Sequence, residues 1–502
     1  MLPKLIAMTE FELKFEVPSA KLKSVAGAVL DGKATRQRLQ ASYFDTPDGA
    51  LAQHGIVVRL RKEGRRWVQT AKGPTADLLE RLEHNAAPPI QGAGTMPTLD
   101  LSRHKGTPVG KAIDKALGVK PGQNYPGLSL LYGTDIQRIT RLVPHGASMV
   151  EIALDQGRVF LDGQSLAICE IELELKEGTP ADAVDLAIKW CAHHGIWIST
   201  ISKSMKGQRL KSAAPFSAAT PAVSAKFPHH ASVHEMVTAV IQSCLSQILP
   251  NMSELACASN DPEHVHQLRI GIRRLRTALG ELARFTGDLD PAWDAALVRV
   301  FKALGAHRDN SFLSLALQPQ LLEAGGPALD VALDDSDIAD PAATVRAPDF
   351  QRAVLGLLGF IHREVPKPAD KLGAIQKELA KRLDKLRTRA LRDGKKFLVL
   401  TEAEQHGVRK RLKRLRYLLE FVEPLFPARR VRQMAAALKP AQDALGQYND
   451  ELMALHALRM LTADDSNAWF GIGWLSARTQ PNAKRCLKEI KTFAAIKPFW
   501  RG

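Results

Sequence analysis

Apolar and polar positions alternate in Glu10–Phe15, in Ile56–Arg61 and in Ile168–Lys176. A period of two places every second side chain on one face, so these segments predict strands. Helical spacing interrupts the pattern near residues 19–30, 107–118 and 180–195. Residues 211–228 are rich in Ala, Ser and Pro, the composition of a flexible interdomain linker. From about residue 229 onward the pattern becomes helical: Leu and Ala form one stripe, with Arg and Lys elsewhere. The acidic, Pro-containing stretch at 334–341 reads as a connection inside this half. The predicted class is α+β, with a β-rich domain over 1–210, a linker over 211–228 and an all-α domain over 229–502.

The helical half contains a repeat. His266-Gln-Leu-Arg269 with Arg273-Arg274-Leu275-Arg276 returns as His406-Gly-Val-Arg409 with Lys413-Arg414-Leu415-Arg416, an offset of 406 − 266 = 140. Leu304-Gly305-Ala-His-Arg308-Asp309 returns as Leu445-Gly446-Gln-Tyr-Asn449-Asp450 at nearly the same offset. Two motifs repeated in the same order predict two similar helical bundles.

Charge sharpens the picture. The 502 residues carry a formal charge of +16 with a pI near 9.6, which points to a polyanionic partner: nucleic acid, anionic membrane or polyphosphate. The five cysteines are odd in number and lack CxxC spacing, so neither a disulfide framework nor a structural zinc site is expected, and a reducing compartment fits. The start shows no apolar segment before charge appears, and Met8 competes with Met1 as the true start. No apolar run reaches the roughly 18 residues a membrane span requires. A Walker A pattern is absent, which argues against a P-loop NTPase.

The predicted strands carry unusual chemistry. In Glu10-Phe11-Glu12-Leu13-Lys14 the three charges share one face and the apolar residues the other. Arg59-Leu60-Arg61 and Glu170-Ile-Glu172-Leu-Glu174-Leu-Lys176 repeat this ionic alternation. A solvated edge strand would show the first motif equally well. The set together argues for a sheet closed around a charged lumen, because inward charges need a metal or ligand. Glu10, Glu12, Glu170 and Glu172 offer the oxygen donors that Mg²⁺ or Mn²⁺ prefer. Arg59, Arg61, Lys72, Arg138 and Lys203 would neutralise phosphate oxygens. Glu174 competes with Glu172, Lys206 with Lys203 and Arg141 with Arg138. Arg81 and Glu83 read as a structural or a lumenal pair, and Asp45 and Asp48 as turn-shaping residues. His193 and His194 read as a helix C-terminus, and Cys169 and Cys191 as small core residues.

In the helical half, His266, Arg269, Arg273 and Arg276 fall 3, 4 and 3 residues apart and share a helix face beside the stripe Leu268, Ile272, Leu275 and Leu279. His406, Arg409, Lys413 and Arg416 repeat the row, and Arg274 and Arg414 extend the two faces. A lone charge run usually marks a solvated surface. Two rows in register, nearly free of acidic partners, point instead to a linear polyanion. The lack of an aromatic platform disfavours single-stranded nucleic acid.

These motifs resemble known families. The ExExK start, YFDTPD at Tyr43–Asp48, Arg59 and Arg61, TAKG around Lys72 and EIELELKEG at Glu170–Gly178 resemble the CYTH, or triphosphate tunnel metalloenzyme, superfamily over residues 8–210. That resemblance implies an antiparallel β-tunnel that hydrolyses a triphosphate with a divalent metal. It assigns Glu10, Glu12, Asp155, Glu170 and Glu172 to the metals, and Lys14, Arg59, Arg61, Lys72, Arg138 and Lys203 to the triphosphate. Residues 229–500 resemble the CHAD domain through the two HxxR…[RK]RLR motifs and the LGxxRD and LGxYND segments. It implies two helical bundles that bind polyphosphate in a basic channel, with Asp309 and Asp450 pairing with basic residues. The expected function is hydrolysis of inorganic triphosphate to diphosphate and phosphate, in a cytoplasmic protein associated with polyphosphate granules. The competing expectations are a non-enzymatic polyphosphate-granule protein, an adenylyl cyclase of the same superfamily, or a thiamine triphosphatase. Neither a membrane nor nucleic acid is expected as a partner.

Overall fold

The described residues form nine strands: β1 (Met8–Glu16), β2 (Ala34–Asp45), β3 (Val57–Glu63), β4 (Arg66–Pro74), β5 (Glu80–Ala86), β6 (Ser129–His145), β7 (Ser148–Leu161), β8 (Gln164–Glu177) and β9 (Trp197–Ile198). The computed structural model describes residues 8–88, 95–228, 231–287, 289–329, 339–363 and 372–501. The start before Met8 and the acidic stretch at 334–338 therefore lie outside the described residues. All pairings are antiparallel, in the order β5-β4-β3-β2-β6-β7-β8-β1-β9. β1 pairs with β5 through Met8–Phe11 and with β8 through Glu12–Glu16, which closes the first eight strands into a barrel. Closure removes the sheet edges.

The outward face of β1 is apolar and buried, whereas on β2, β6 and β7 it carries Arg38, Asp135, Gln137 and Arg158. Phe11, Leu13 and Phe15 are buried, as the alternation requires. The helices of the barrel region are α1 (Leu22–Leu30), α2 (Ala50–Gln53), α3 (Pro108–Ala116), α4 (Pro180–His194) and α5 (Lys203–Ser212). Val109 and Ile113 of α3 join Leu51, Val58 and Ala71 in one outer cluster. The helices at 22–30, 108–116 and 180–194 match the three interruptions read from the sequence. Gly195, at φ 65°, ends α4 beside His193 and His194, the expected C-terminal cap.

Residue 233 onward is helical: α6 (Val233–Ala256), α7 (Pro262–Leu282), α8 (Pro291–Ala303), α9 (Gly305–Ser311), α10 (Gln318–Glu323), α11 (Pro341–Arg346), α12 (Pro348–Ile361), α13 (Leu372–Gly394), α14 (Glu402–Val422), α15 (Ala428–Leu461) and α16 (Ala468–Ala494). The two copies of the repeat begin the same way, on α7 and α14, and then diverge. Leu304-Gly305 separates α8 from α9, whereas Leu445-Gly446 lies inside the unbroken 34-residue α15.

The chain divides into two compact units. One comprises residues 1–219, 252–259 and 346–363, and the other 220–251, 260–345 and 364–502. The first thus includes α12, most of whose surface is buried, from Phe350 and Gln351 to Phe360 and Ile361, with Arg352 exposed. α12 packs on α4, with Gly359 against Val184. Gln351 accepts the backbone N–H of Ile198 at 2.9 Å, and His362 meets Asp77 at 2.9 Å. Ser217, inside the expected linker, donates its N–H to Glu254 at 3.3 Å.

Candidate active site

Register decides which charges meet in the lumen. β1 and β8 place Glu12 opposite Glu174, Lys14 opposite Glu172 and Glu16 opposite Glu170. β7 sets Asp155 opposite Glu170, and β6 sets Arg138 opposite Asp155. Paired residues in an antiparallel ladder point to the same side. Asp155, Glu170 and Glu172 therefore converge, each offering an oxygen within 4.8 Å of the others. Asp155 and Glu170 are fully buried.

Cations enter this cluster from two sides. Arg138 forks onto Asp155 with two bonds of 2.6 Å and reaches Glu172 at 2.5 Å. Lys203, the first residue of α5, places Nζ 2.7 Å from Asp155, 2.5 Å from Glu170 and 2.6 Å from Glu172. Its position is set locally: Ser202 caps α5 by accepting the N–H of Met205, and Gly207 lets the helix approach Tyr132. Burial opposes the Lys203 charge, but the three carboxylates hold its ammonium well above the ordinary lysine range. Burial would raise Glu172, but Lys203 and Arg138 hold it well below the usual carboxylate range. Both oxygens of Glu170 are buried; Oε1 meets the Lys203 ammonium, and Oε2 accepts no hydrogen bond among the described residues. Lys14 and Lys206 stand 3.8 Å from Glu170, and Lys14 donates to the carbonyl of Ile201.

A second acidic group lies along β1 and β5. Lys72 donates to Glu10 at 2.9 Å and pairs with Glu83. Burial pushes Glu10 up to about 7 against the pull of Lys72. Burial, followed by the nearby Glu172 charge, pushes Glu12 up to about 7. Burial would also raise Glu83, yet the Lys72 ammonium brings it down to about 2. Arg59 reaches Tyr43 Oη at 3.4 Å, while its buried Nε donates to no acceptor among the described residues. Arg61 pairs with Glu63. Beyond these, the lumen turns apolar: Leu39, Ala41, Tyr43, Tyr132, Ile136, Val159 and Ile168 cluster there, with Leu210 of α5 against them.

The competing candidates occupy distinct positions. Arg141 lies outside the barrel beside Gly32, three residues and hence the opposite face from Arg138. Glu174 pairs with Lys176 at 2.6 Å. Glu83 is a lumenal partner of Lys72, while Arg81, opposite Glu10 in register, is exposed. Glu16 and Lys206 pair at 3.1 Å beside the cluster. Glu16 continues the alternation of Glu10, Glu12 and Lys14, so a sequence signal for it existed. Asp45 shapes its turn as expected, accepting the N–H groups of Thr46, Leu51 and Ala52.

In the helical unit the two basic rows converge. Arg308 of the first copy meets Asp450 of the second at 2.6 Å, and Arg409 lies 4.0 Å from the same carboxylate. Burial, then the neighbouring Arg273 and Arg409, push Lys413 down to about 6. Burial brings Arg269 to about 10, with its guanidinium 4.2 Å over Phe301. His266 and His406 are both lowered, chiefly by burial, and His406 faces Asn449 at 2.8 Å. The apolar stripes of both rows are buried as expected.

Four residues counted with the basic faces turn elsewhere. Arg274 is 1% exposed and donates to the carbonyls of Ser243 and Val223, holding α6 and the segment before it. One step of about 100° along the helix separates it from Arg273 and turns it inward. Arg276 pairs with Asp294 at 2.7 Å, Arg414 with Glu281 at 3.4 Å and Arg416 with Glu420 at 3.1 Å. These acidic partners come from other turns or helices, so inspection of the row alone missed them.

Fold and site together define a closed antiparallel barrel with an ionic lumen, followed by an all-α region with a basic cluster. Residues 8–207 match the CYTH domain and residues 239–459 the CHAD domain: the chain is a CYTH domain followed by a CHAD domain. An inorganic triphosphatase of Haemophilus influenzae is 29% identical over 176 residues, 34% of this chain and 45% of that relative. The match thus spans less than half the relative's length. The CHAD domain crystal structure from the plant Ricinus communis is 25% identical, covering 56% of this chain and 98% of that one, with a TM-score of 0.48. A putative adenylyl cyclase from Hippeastrum, described as having a dominant triphosphatase activity, is 18% identical over 41% of this chain and 96% of its own, with a TM-score of 0.30. Among the described residues no helix is long and apolar enough to cross a membrane.

Proposed function

We propose that the barrel hydrolyses inorganic triphosphate to diphosphate and phosphate with Mg²⁺ or Mn²⁺, and that the helical unit binds polyphosphate. The observation that carries this reading is one lumen holding both a three-carboxylate cluster and an arginine donor, Arg59 Nε, that has no protein acceptor among the described residues. Asp155, Glu170 and Glu172 are hard oxygen donors suited to a divalent ion, and Glu170 Oε2, which accepts no hydrogen bond among the described residues, fits one. Glu10 and Glu12 are the further carboxylates facing that space. A bound metal would supply Lewis-acid neutralisation of phosphate charge. Arg59, Arg61, Lys72, Arg138 and Lys14 orient and neutralise the linear substrate, with Arg59 Nε as a ready donor. The Haemophilus relative named an inorganic triphosphatase supports the substrate. In the helical unit, His266, Arg269, Arg273, His406, Arg409 and Lys413 would hold polyphosphate, with Arg308 beside them paired to Asp450. Five free cysteines suit a reducing setting, and we place the protein in the cytoplasm with polyphosphate granules.

Phosphate release from tripolyphosphate, ATP and thiamine triphosphate, with Mg²⁺ or Mn²⁺, tests the reading in wild type and Glu170→Gln. Turnover of tripolyphosphate, lost in the variant and in chelator, is expected. A cyclic product from ATP would move the barrel to the cyclase class. No turnover with tight polyphosphate binding would leave a binding protein.

A further inference from the structure

Lys203 does more than add one positive charge to the lumen. Its ammonium lies within 2.5–2.7 Å of an oxygen from each of Asp155, Glu170 and Glu172, the same three carboxylates that converge to within 4.8 Å. Side-chain exposure is 10% for Lys203, 0% for Asp155 and Glu170 and 14% for Glu172. Three charge-assisted contacts at this range place Nζ at the centre of the donor set. A divalent ion bound by those oxygens would sit about 2.0–2.6 Å from each, so ion and ammonium cannot share the space. Lys14 and Lys206 differ: each stands 3.8 Å from one oxygen of Glu170, outside ligand range.

We propose that Lys203 is an internal counter-ion that competes with the divalent metal for the Asp155–Glu170–Glu172 site, and that triphosphate admits the metal by giving the displaced ammonium a new anionic partner. This rests on the metal-dependent reading of the barrel. α5 is fixed at both ends of the relevant turn, by the Ser202 cap and by Gly207 against Tyr132. The exchange therefore falls to the flexible four-carbon side chain rather than to the helix. Leaving a lysine buried without a carboxylate is unfavourable, so metal alone binds weakly. A phosphate chain in the lumen relieves that penalty. Linkage then requires metal and triphosphate to strengthen each other's binding by the same factor. Lys203 serves here as a positioning residue that times metal entry, in addition to any contact with phosphate.

The test is the affinity of the full-length protein for Mn²⁺ alone, read from the electron paramagnetic resonance of free Mn²⁺, in wild type, Lys203→Met, Lys203→Gln and Lys206→Met. Lys203→Met is expected to bind Mn²⁺ about tenfold or more tightly than wild type. It should also melt at a lower temperature without Mn²⁺ and regain more on its addition. Lys203→Gln keeps a hydrogen-bond donor and a folded barrel, and should shift in the same direction by less. Lys206→Met removes the same charge from outside ligand range and should change affinity far less than Lys203→Met. Equal tightening by Lys206→Met would show a general field and overturn the inference, as would Mn²⁺ affinity unchanged or weakened in both Lys203 variants. Absence of Mn²⁺ binding in every protein, with tripolyphosphate present or not, would overturn the metal reading itself and this inference with it.

Discussion

Glu170 shows how burial and charge combine at a single residue. It is fully buried, its Oε2 accepts no hydrogen bond among the described residues, and Lys203, Lys14 and Lys206 surround it. Glu170→Gln keeps the shape and removes the charge, so tripolyphosphate turnover is expected to fall by about 100-fold or more, measured as phosphate release. Lys413 is the opposite case, a buried cation among cations, held down at about 6. Near neutral pH its amine is mostly neutral in the free protein. A bound polyanion favours the ammonium, so polyphosphate binding should take up a proton and tighten as pH falls from about 8 towards 6. Titration calorimetry in two buffers of different ionisation heat would read that proton. For folding, the unfolded chain binds the proton up to about 10.4, so this lysine lowers stability below that value and the penalty is complete below about 6. Lys413→Met should reduce the proton uptake, leaving the share of His266 and His406.

Among elements, α5 and α7 show side chains whose neighbours outweigh local preference. Alanine suits a helix better than glycine by about 1 kcal/mol. At Gly207, however, an added Cβ would stand 2.4 Å from the ring of Tyr132, which stacks on Tyr43 at 4.8 Å. The clash wins: Gly207→Ala is expected to destabilise by about 1–3 kcal/mol in denaturant unfolding. On α7, Arg274 satisfies carbonyls of Ser243 and Val223, whereas its neighbour Arg273 lies by Lys413 in the basic cluster. Arg274→Ala should cost about 3 kcal/mol and leave polyphosphate affinity unchanged in the folded fraction. Arg409→Ala should show the reverse, and parallel melts and binding curves would separate the two.

For the molecule as a whole, the unit built on the barrel draws on distant chain. Residues 346–363 belong to it, and α12 contributes Phe350, Val354, Leu355, Leu357 and Leu358, each fully buried. At about 2 kcal/mol per fully buried apolar side chain, a fragment ending at residue 219 loses a large part of its outer layer. Such a fragment is expected to aggregate or to melt well below the barrel transition of the full chain, which calorimetry would show. The charge of +16 should make polyphosphate binding fall steeply with added salt.

The sequence by itself determined strands at 10–15, 56–61 and 168–176, the helices near 22–30, 108–116 and 180–194 and the repeated start of α7 and α14, because periods of two and 3.6 are local properties of the chain. It also supplied Glu10, Glu12, Arg59, Arg61, Glu170 and Glu172, whose alternation is visible without any partner. What it could not supply depends on register and on contacts across long separations. Only strand pairing put Asp155 against Glu170 and Glu83 against Lys72, and only the seat of α5 brought Lys203 among three carboxylates. The tertiary structure likewise turned Arg274 inward and joined α12 to α4, since the groups they meet lie tens to hundreds of residues away along the chain. Charge pattern shows which residues are ionic; only the closed fold decides which of them face one another.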